Sequence, residues 1–338
     1  MPATDSESGR AWAGRRVLVT GAGGFIGSHL AETLARAGAH VRAFVRYTSR
    51  GDNGWLELGD PELRDAIEVF RGDLVNPEAV AGALDGREVV FHLGALIPIP
   101  YSYRHPREFV TANVVGTLNV LEAARLGGSP RIVHTSTSEV YGTAQTVPID
   151  EGHPLHPQSP YAASKVGADQ LALSFHRSFG LPVVVARPFN TYGSRQSARA
   201  VIPTIVTQAL TREVVELGAI EPTRDFLFVD DTVGGIMRCG EVGGVEGEVV
   251  NLGSGTEVSI GELAERVLRL VGRELPISLD QQRLRPAESE VERLVAATAK
   301  AERLLGWQPS VDLDEGLRRT VDWLAGSLDA YKPSLYNV

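Results

Sequence analysis

Between an apolar run at 16–20 and a helical pattern at about 25–37 stands Thr20-Gly21-Ala22-Gly23-Gly24-Phe25-Ile26-Gly27. No other feature limits the possible folds as much. Glycines at 21, 24 and 27 repeat every three residues between a strand and a helix. The first suits a turn that needs positive φ. The second lets backbone approach a phosphate without a Cβ in the way. The third lets helix and strand pack closely. The amides that open the helix, at Gly24, Phe25, Ile26 and Gly27, then face an anion. A dinucleotide pyrophosphate fits that description.

The rest of the first half repeats the alternation of apolar runs and helical patterns. Strands are expected at 41–45, 67–71, 89–92, 131–135 and 181–186, with helices at about 108–125 and 161–179. Runs this apolar belong in a parallel sheet covered on both faces. The fold class is therefore α/β: a Rossmann-type doubly wound parallel sheet followed by a smaller C-terminal α/β substrate domain. Residues 1–14 read as a flexible tail and 15–187, with about 226–252, as the dinucleotide domain. Residues 188–225 and 253–338 read as the substrate domain. Helices are expected there at 202–211, 231–238, 259–271 and 314–324, and loops at 188–203 and 283–288.

Composition narrows the function by exclusion. A net charge of −9 argues against a nucleic-acid binder, which needs a basic face. No stretch approaches the ~18 apolar residues of a membrane span, and the N-terminus lacks a signal-peptide core. A cytoplasmic protein is expected. Cys239 is the only cysteine, so no intrachain disulfide can form and a buried thiol is the simplest reading.

The end of the second strand usually carries an acidic residue for the ribose hydroxyls of NAD. Here it reads Val45-Arg46-Tyr47-Thr48-Ser49-Arg50, with no carboxylate. Arg46 is placed to meet a 2′-phosphate, which tips the expectation from NAD to NADP, held tightly. Asp73 and Leu74 should lie at the adenine edge, and Leu93 and Ala95 along the dinucleotide. His92 reads as a packed strand residue.

Tyr161-Ala162-Ala163-Ser164-Lys165 is the clearest chemical signal. The chain has eight tyrosines but three lysines, so a chance Tyr-xxx-Lys is about 7% by composition. Residues four apart share a helix face. A phenol titrates near pH 10, and one positive charge at about 4 Å lowers that by roughly three pH units at an effective dielectric near 20. With Lys165 and an oxidised nicotinamide nearby, Tyr161 can take a proton from a sugar hydroxyl.

Ser136-Thr137-Ser138-Glu139-Val140-Tyr141-Gly142, Pro160 to Lys165, Arg187-Pro188-Phe189-Asn190-Thr191-Tyr192-Gly193, Arg224-Asp225-Phe226 and Leu305-Gly306-Trp307-Gln308-Pro309 together resemble the extended short-chain dehydrogenase/reductases, within them the nucleotide-sugar 4,6-dehydratases. Residues 97–103 and 195–200 are similar to retaining dehydratases of nucleotide-linked N-acetylglucosamine in legionaminic-acid-type pathways. The resemblance implies that Thr137 and Tyr161 hold the sugar O4 and that Glu139 is the base at C5. Ser138 stands where the family often has an aspartate acid. It also implies a homodimer built through a four-helix bundle.

A carboxylate at 139 bears on the reaction. Oxidation at C4 acidifies the C5 hydrogen; a base there removes it, water leaves from C6, and hydride returns to C6. A 4-epimerase needs no such base. The expected activity is thus a retaining 4,6-dehydratase giving a 4-keto-6-deoxy sugar. The alternatives are a 4-epimerase or UDP-glucuronate decarboxylase and, more remotely, a non-catalytic NAD(P) sensor. For the nucleotide sugar, Arg224 and Arg285 suit the diphosphate, with Asn190, Ser102 and Tyr103 lining the pocket. Arg195 and Arg199 are weaker choices.

Overall fold

Alternating turn and helix signals resolve into one seven-stranded parallel sheet. The computed structural model describes residues 11–331. Its sheet strands are β1 (Arg16–Thr20), β2 (His40–Arg46), β3 (Glu68–Gly72), β4 (Val89–His92), β5 (Arg131–Thr135), β6 (Val183–Pro188) and β11 (Val249–Leu252). Four short strands lie between the last two: β7 (Asn190–Tyr192), β8 (Val215–Leu217), β9 (Thr223–Arg224) and β10 (Phe226–Phe228). The spatial order is β11-β6-β5-β4-β1-β2-β3. It reverses at the β1–β4 pair, where Thr20 lies opposite His92. Ligands of open α/β sheets bind outside the carboxyl ends of the strands at such a reversal.

Local chemistry explains the helix ends. The helix Pro160–Phe179 starts at Ser159, whose hydroxyl accepts from the Ala162 amide, and has proline in its first turn. It stops at Gly180, in the left-handed region at φ 67°. The helix Ile260–Val271 carries a full capping box between Ser259 and Glu262.

Three expectations change. Residues 1–10 of the supposed tail lie outside the described residues. Trp12, also assigned to that tail, is fully buried, 5.5 Å from the Phe91 ring. An indole of that size removes too much apolar area from water to be left loose. The single helix expected at 108–125 is instead an α-turn, a π-segment Val110–Val115 and an α-helix Gly116–Leu126. The wide turn faces Asn113 inward, a common use of π-bulges. The sixth strand runs Val183–Pro188 rather than 181–186. Leu181 closes the preceding helix instead, its amide donating to Phe175 O.

Beyond the carboxyl ends, the helices Val201–Thr211, Ile260–Val271 and Leu313–Ala325 pack on one another beside β7 to β10. Strand β7 pairs with β10 in parallel. A buried fork, Arg195 to Glu32 at 2.8 and 3.1 Å, ties this region to the helix Phe25–Arg36 that follows the glycine turn. Among the described residues no helix is long and apolar enough to cross a membrane.

Trp12→Ala is expected to destabilise the protein by about 3–5 kcal/mol, read as a lower denaturant midpoint at unchanged slope. A loss under about 0.5 kcal/mol would mean that this segment is peripheral after all.

Candidate active site

The glycine turn builds the cofactor side of the crevice. Gly21 has φ 70°, and a Cβ there would stand 2.8 Å from the Gly94 amide nitrogen. A Cβ on Gly27 would stand 2.2 Å from the Gly21 carbonyl oxygen. The helix beginning at Phe25 has Gly24 as its N-cap, with no side-chain cap and no acidic residue in its first turn. Its first amides are therefore available to an anion, and these residues fit a dinucleotide pyrophosphate. Leu93 and Ala95 lie on the loop after β4, and Leu74 packs beneath that loop, within reach of a Cβ on Gly94. Arg46, three-quarters exposed, lies 3.6 Å from Asp73.

His92 is structural, as its strand position suggests. Thr117 donates its hydroxyl to Asn113 O at 2.6 Å. It must then accept from His92 Nε2 at 3.0 Å, so His92 Nδ1 accepts from Thr20 Oγ1 at 2.8 Å. Thr20 Oγ1 in turn accepts from the Gly94 amide at 3.0 Å. One neutral tautomer satisfies the chain, and burial keeps the imidazole pKa well below its usual value. Asn113 completes the cofactor wall. Its Oδ1 accepts from the Leu96 amide at 2.7 Å, and its Nδ2 donates to Leu96 O and Ser164 Oγ, both at 2.9 Å.

Across the crevice, β5 and the helix Pro160–Phe179 bring the catalytic candidates together. The Tyr161 phenol is close enough to the Thr137 side chain for that hydroxyl to favour the phenolate, and it feels the charge of Glu139. Thr137 is an N-cap whose Oγ1 accepts from the Glu139 amide at 3.3 Å. Glu139 is half-buried and also interacts electrostatically with Arg224. The Glu139 carboxylate is thus near enough to both the phenol and the guanidinium to act on each through its charge. Ser138 is buried beside it.

One expectation fails in its energetics. Lys165 does not lower the phenol: its ammonium donates to Thr135 O at 2.8 Å. Burial pushes the Tyr161 pKa upward, and the nearby Thr137 side chain only partly opposes this. Burial also pushes Lys165 down to about 8, with Asp169 pulling the other way. Burial sets the direction at this depth, and Lys165 is not among the groups that lower the phenol.

Sequence reasoning passed over Asp169. It accepts from Ser136 Oγ at 2.7 Å, from Arg187 Nη2 at 2.9 Å and from His134 Nε2 at 3.1 Å. Burial favours its neutral form, but the His134 hydrogen bond and the Arg187 charge outweigh this and hold the carboxyl below its usual range. Its position four residues after Lys165, on the same helix face, was the available signal. Asn113 offered none, because a regular helix would have concealed its direction.

Arg224 is buried; its Nη2 donates to Glu290 at 3.1 Å, and Arg285 Nη1 lies 3.7 Å from the same carboxylate. The Tyr103 hydroxyl is 2.6 Å from Ser289 Oγ, beside that pair. Asn190 is half-buried, opposite Phe226 in the β7–β10 pair. Ser102 is fully buried, and its hydroxyl donates to Ile99 O at 2.7 Å. Arg195 is spent on Glu32.

A family model described as GDP-mannose 4,6 dehydratase matches residues 18–320. The UDP-glucose 4-epimerase of Mycolicibacterium smegmatis is 36% identical over 316 residues, covering 91% of this chain and 98% of that protein. The structure of epimerase Mth375 from Methanothermobacter thermautotrophicus superposes with a TM-score of 0.88 at 32% identity, over 97% of each chain. DesIV, a dTDP-glucose 4,6-dehydratase from Streptomyces venezuelae solved with NAD bound, gives 0.82 at 32% identity, over 94% of this chain and 99% of that one. None of these three is described as acting in a legionaminic-acid-type pathway.

The lysine makes a pH test. Lys165 titrates near 8 when folded and near 10.5 when unfolded, so the unfolded chain binds more protons between those values. Its burial penalty, about 3 kcal/mol at 1.36 kcal/mol per pH unit, is fully present below pH 8 and fades toward 10.5. Lys165→Met should therefore melt above the parent at pH 7, by a margin that narrows over that window, while activity falls at least about a hundredfold. A margin independent of pH would refute the titration.

Proposed function

The chain belongs to the GDP-mannose 4,6-dehydratase family of extended short-chain dehydrogenase/reductases, nucleotide-sugar dehydratases and epimerases that work with NAD(P), and from that footing we propose that it is a 4,6-dehydratase that retains configuration at C5. The observation that carries this reading is Glu139, a half-buried carboxylate whose charge acts on both Tyr161 and Arg224.

A bound nicotinamide supplies the hydride acceptor and, later, the hydride donor. Tyr161 takes the proton of the sugar 4-hydroxyl, and Thr137 holds the same oxygen through a hydrogen bond. Lys165 and Asp169 keep the helix face beneath the phenol charged and fixed. With a ketone at C4, Glu139 removes the C5 hydrogen as a proton, and hydroxide departs from C6 as water after protonation. That proton comes from Ser138 through water or from Glu139 itself, which has just taken one from C5. Arg224 and Arg285 hold the diphosphate, and Asn190 and Tyr103 face the same pocket. The product is a 4-keto-6-deoxy hexose with no net oxidation. The likeness of residues 97–103 to N-acetylglucosamine dehydratases supports an N-acetylhexosamine.

A second reading has a specific basis. The curated relative at 36% identity and the structure at TM-score 0.88 are both epimerases, and by themselves these comparisons favour 4-epimerisation. Tyr161, Thr137 and Lys165 would serve that reaction equally well, with Glu139 idle. For assembly, helices Gly116–Leu126 and Pro160–Phe179 and the π-segment leave Val110, Val115, Leu126 and Phe179 exposed, which supports a homodimer through these helices. Arg46 and the absence of an acidic residue among positions 45–50 support NADP.

One assay divides the readings. The protein is incubated in deuterated water with UDP-, GDP-, dTDP- and CDP-linked hexoses and N-acetylhexosamines. Dehydration removes the mass of one water and adds solvent deuterium at C5; epimerisation leaves the mass unchanged; decarboxylation releases carbon dioxide from a uronic acid only. Glu139→Gln should keep binding substrate but lose about a hundredfold or more in elimination. Full dehydratase activity in that variant, or an epimerised product from the parent, would defeat the dehydratase reading. Arg46→Asp should move cofactor preference toward NAD by about tenfold or more, measured by reconstituting apoprotein with each dinucleotide; an unchanged ratio would remove Arg46 from cofactor selection.

A further inference from the structure

The two arginines assigned to the diphosphate do not wait unpaired. Arg224 has only 6% of its side chain exposed, and its Nη2 donates to Glu290 Oε1 at 3.1 Å. Arg285 Nη1 is 3.7 Å from that same oxygen. This is too long for a hydrogen bond, and Arg285 Nη1 is otherwise buried without a partner. One carboxylate oxygen thus answers for two guanidiniums, and one of them is left short.

The backbone of Glu290 is firmly placed. Its amide donates to Pro286 O and Ala287 O. Its carbonyl accepts from Gln158 Nε2 at 3.0 Å. The neighbouring Ser289 hydroxyl donates to Gln158 O and contacts the Tyr103 phenol. Gln158 directly precedes the cap of the catalytic helix. The Glu290 side chain, by contrast, is 23% exposed, so it can rotate away without disturbing these bonds.

A fixed carboxylate on two cations lowers the cost of burying them, and it also excludes any anion that cannot outcompete it. A diphosphate carries more charge and more acceptor oxygens than one carboxylate, and it can satisfy both forks at once. We propose that Glu290 is an internal counter-anion: it occupies Arg224 and Arg285 in the empty enzyme, is displaced by the diphosphate of the incoming nucleotide sugar, and returns when product leaves. The proposal rests on the reading of these arginines as the diphosphate site. Its consequence is weaker but more selective binding, with an exit path for a doubly charged product.

The test uses inorganic pyrophosphate as the probe, because it lacks base and sugar, with calorimetric titration of the full chain. Glu290→Gln keeps the shape and removes the charge, so pyrophosphate should bind about tenfold tighter than to the parent. Glu290→Ala should tighten binding in the same direction and guards against a glutamine that rebuilds the hydrogen bond. Arg285→Ala should weaken binding in both backgrounds. If the Glu290 variants bind pyrophosphate no better than the parent while Arg285→Ala abolishes binding, the diphosphate site stands and the counter-anion role is overturned. If neither Arg285→Ala nor Arg224→Ala affects pyrophosphate binding, the site reading itself fails and takes the proposal with it.

Discussion

A carboxylate with no exposed surface holds the catalytic helix to the sheet. Asp169 gathers Ser136 and His134 from the end of β5, Arg187 from β6, and the field of Lys165 one turn back on its own helix. A charge at that depth is tolerable only when fully paired. Its partners are therefore fixed too: Arg187 stacks over Tyr141 and donates to its hydroxyl at 3.0 Å, and Tyr141 donates to Asn251 of β11 at 2.8 Å. Thr137 directly follows the anchor Ser136, and Tyr161 lies about two turns before Asp169 on the same helix.

The two walls of the crevice are built by different physics. The cofactor wall is steric. Glycines at 21 and 27 let backbone meet backbone at distances that a Cβ forbids, and the Thr20–His92–Thr117–Asn113 chain orders it without any charge. The opposite wall is electrostatic: half-buried Glu139, Arg285 and Glu290 surround the buried Arg224. A rigid wall suits a cofactor that stays in place through a cycle. A wall of ion pairs is chemistry matched to a charged ligand.

Much of this was readable from residue order. The glycine spacing, strands β1, β4 and β5, and the Tyr161–Lys165 step were all visible, since each depends on residues within one or two turns of chain. The energetics of the phenol were not. Counting Lys165 as a positive neighbour predicts a lowered Tyr161, yet burial reverses the sign, and burial depends on Ile99 and Phe109 packing from another segment. Asn113 was hidden by the π-turn, and nothing in the residue order shows that the Ser102 hydroxyl closes a local turn by donating to Ile99 O.

By itself the sequence determined the fold class, the family and the residue types able to do chemistry at C4, because backbone freedom at glycine and helical periodicity are local properties. Only the tertiary structure decided which charges meet. Glu290 lies 66 positions from Arg224 and pairs with it; Arg195 lies 163 positions from Glu32 and is consumed by it. Coulomb interactions depend on distance in space and on the local dielectric, and neither is fixed until the chain has folded.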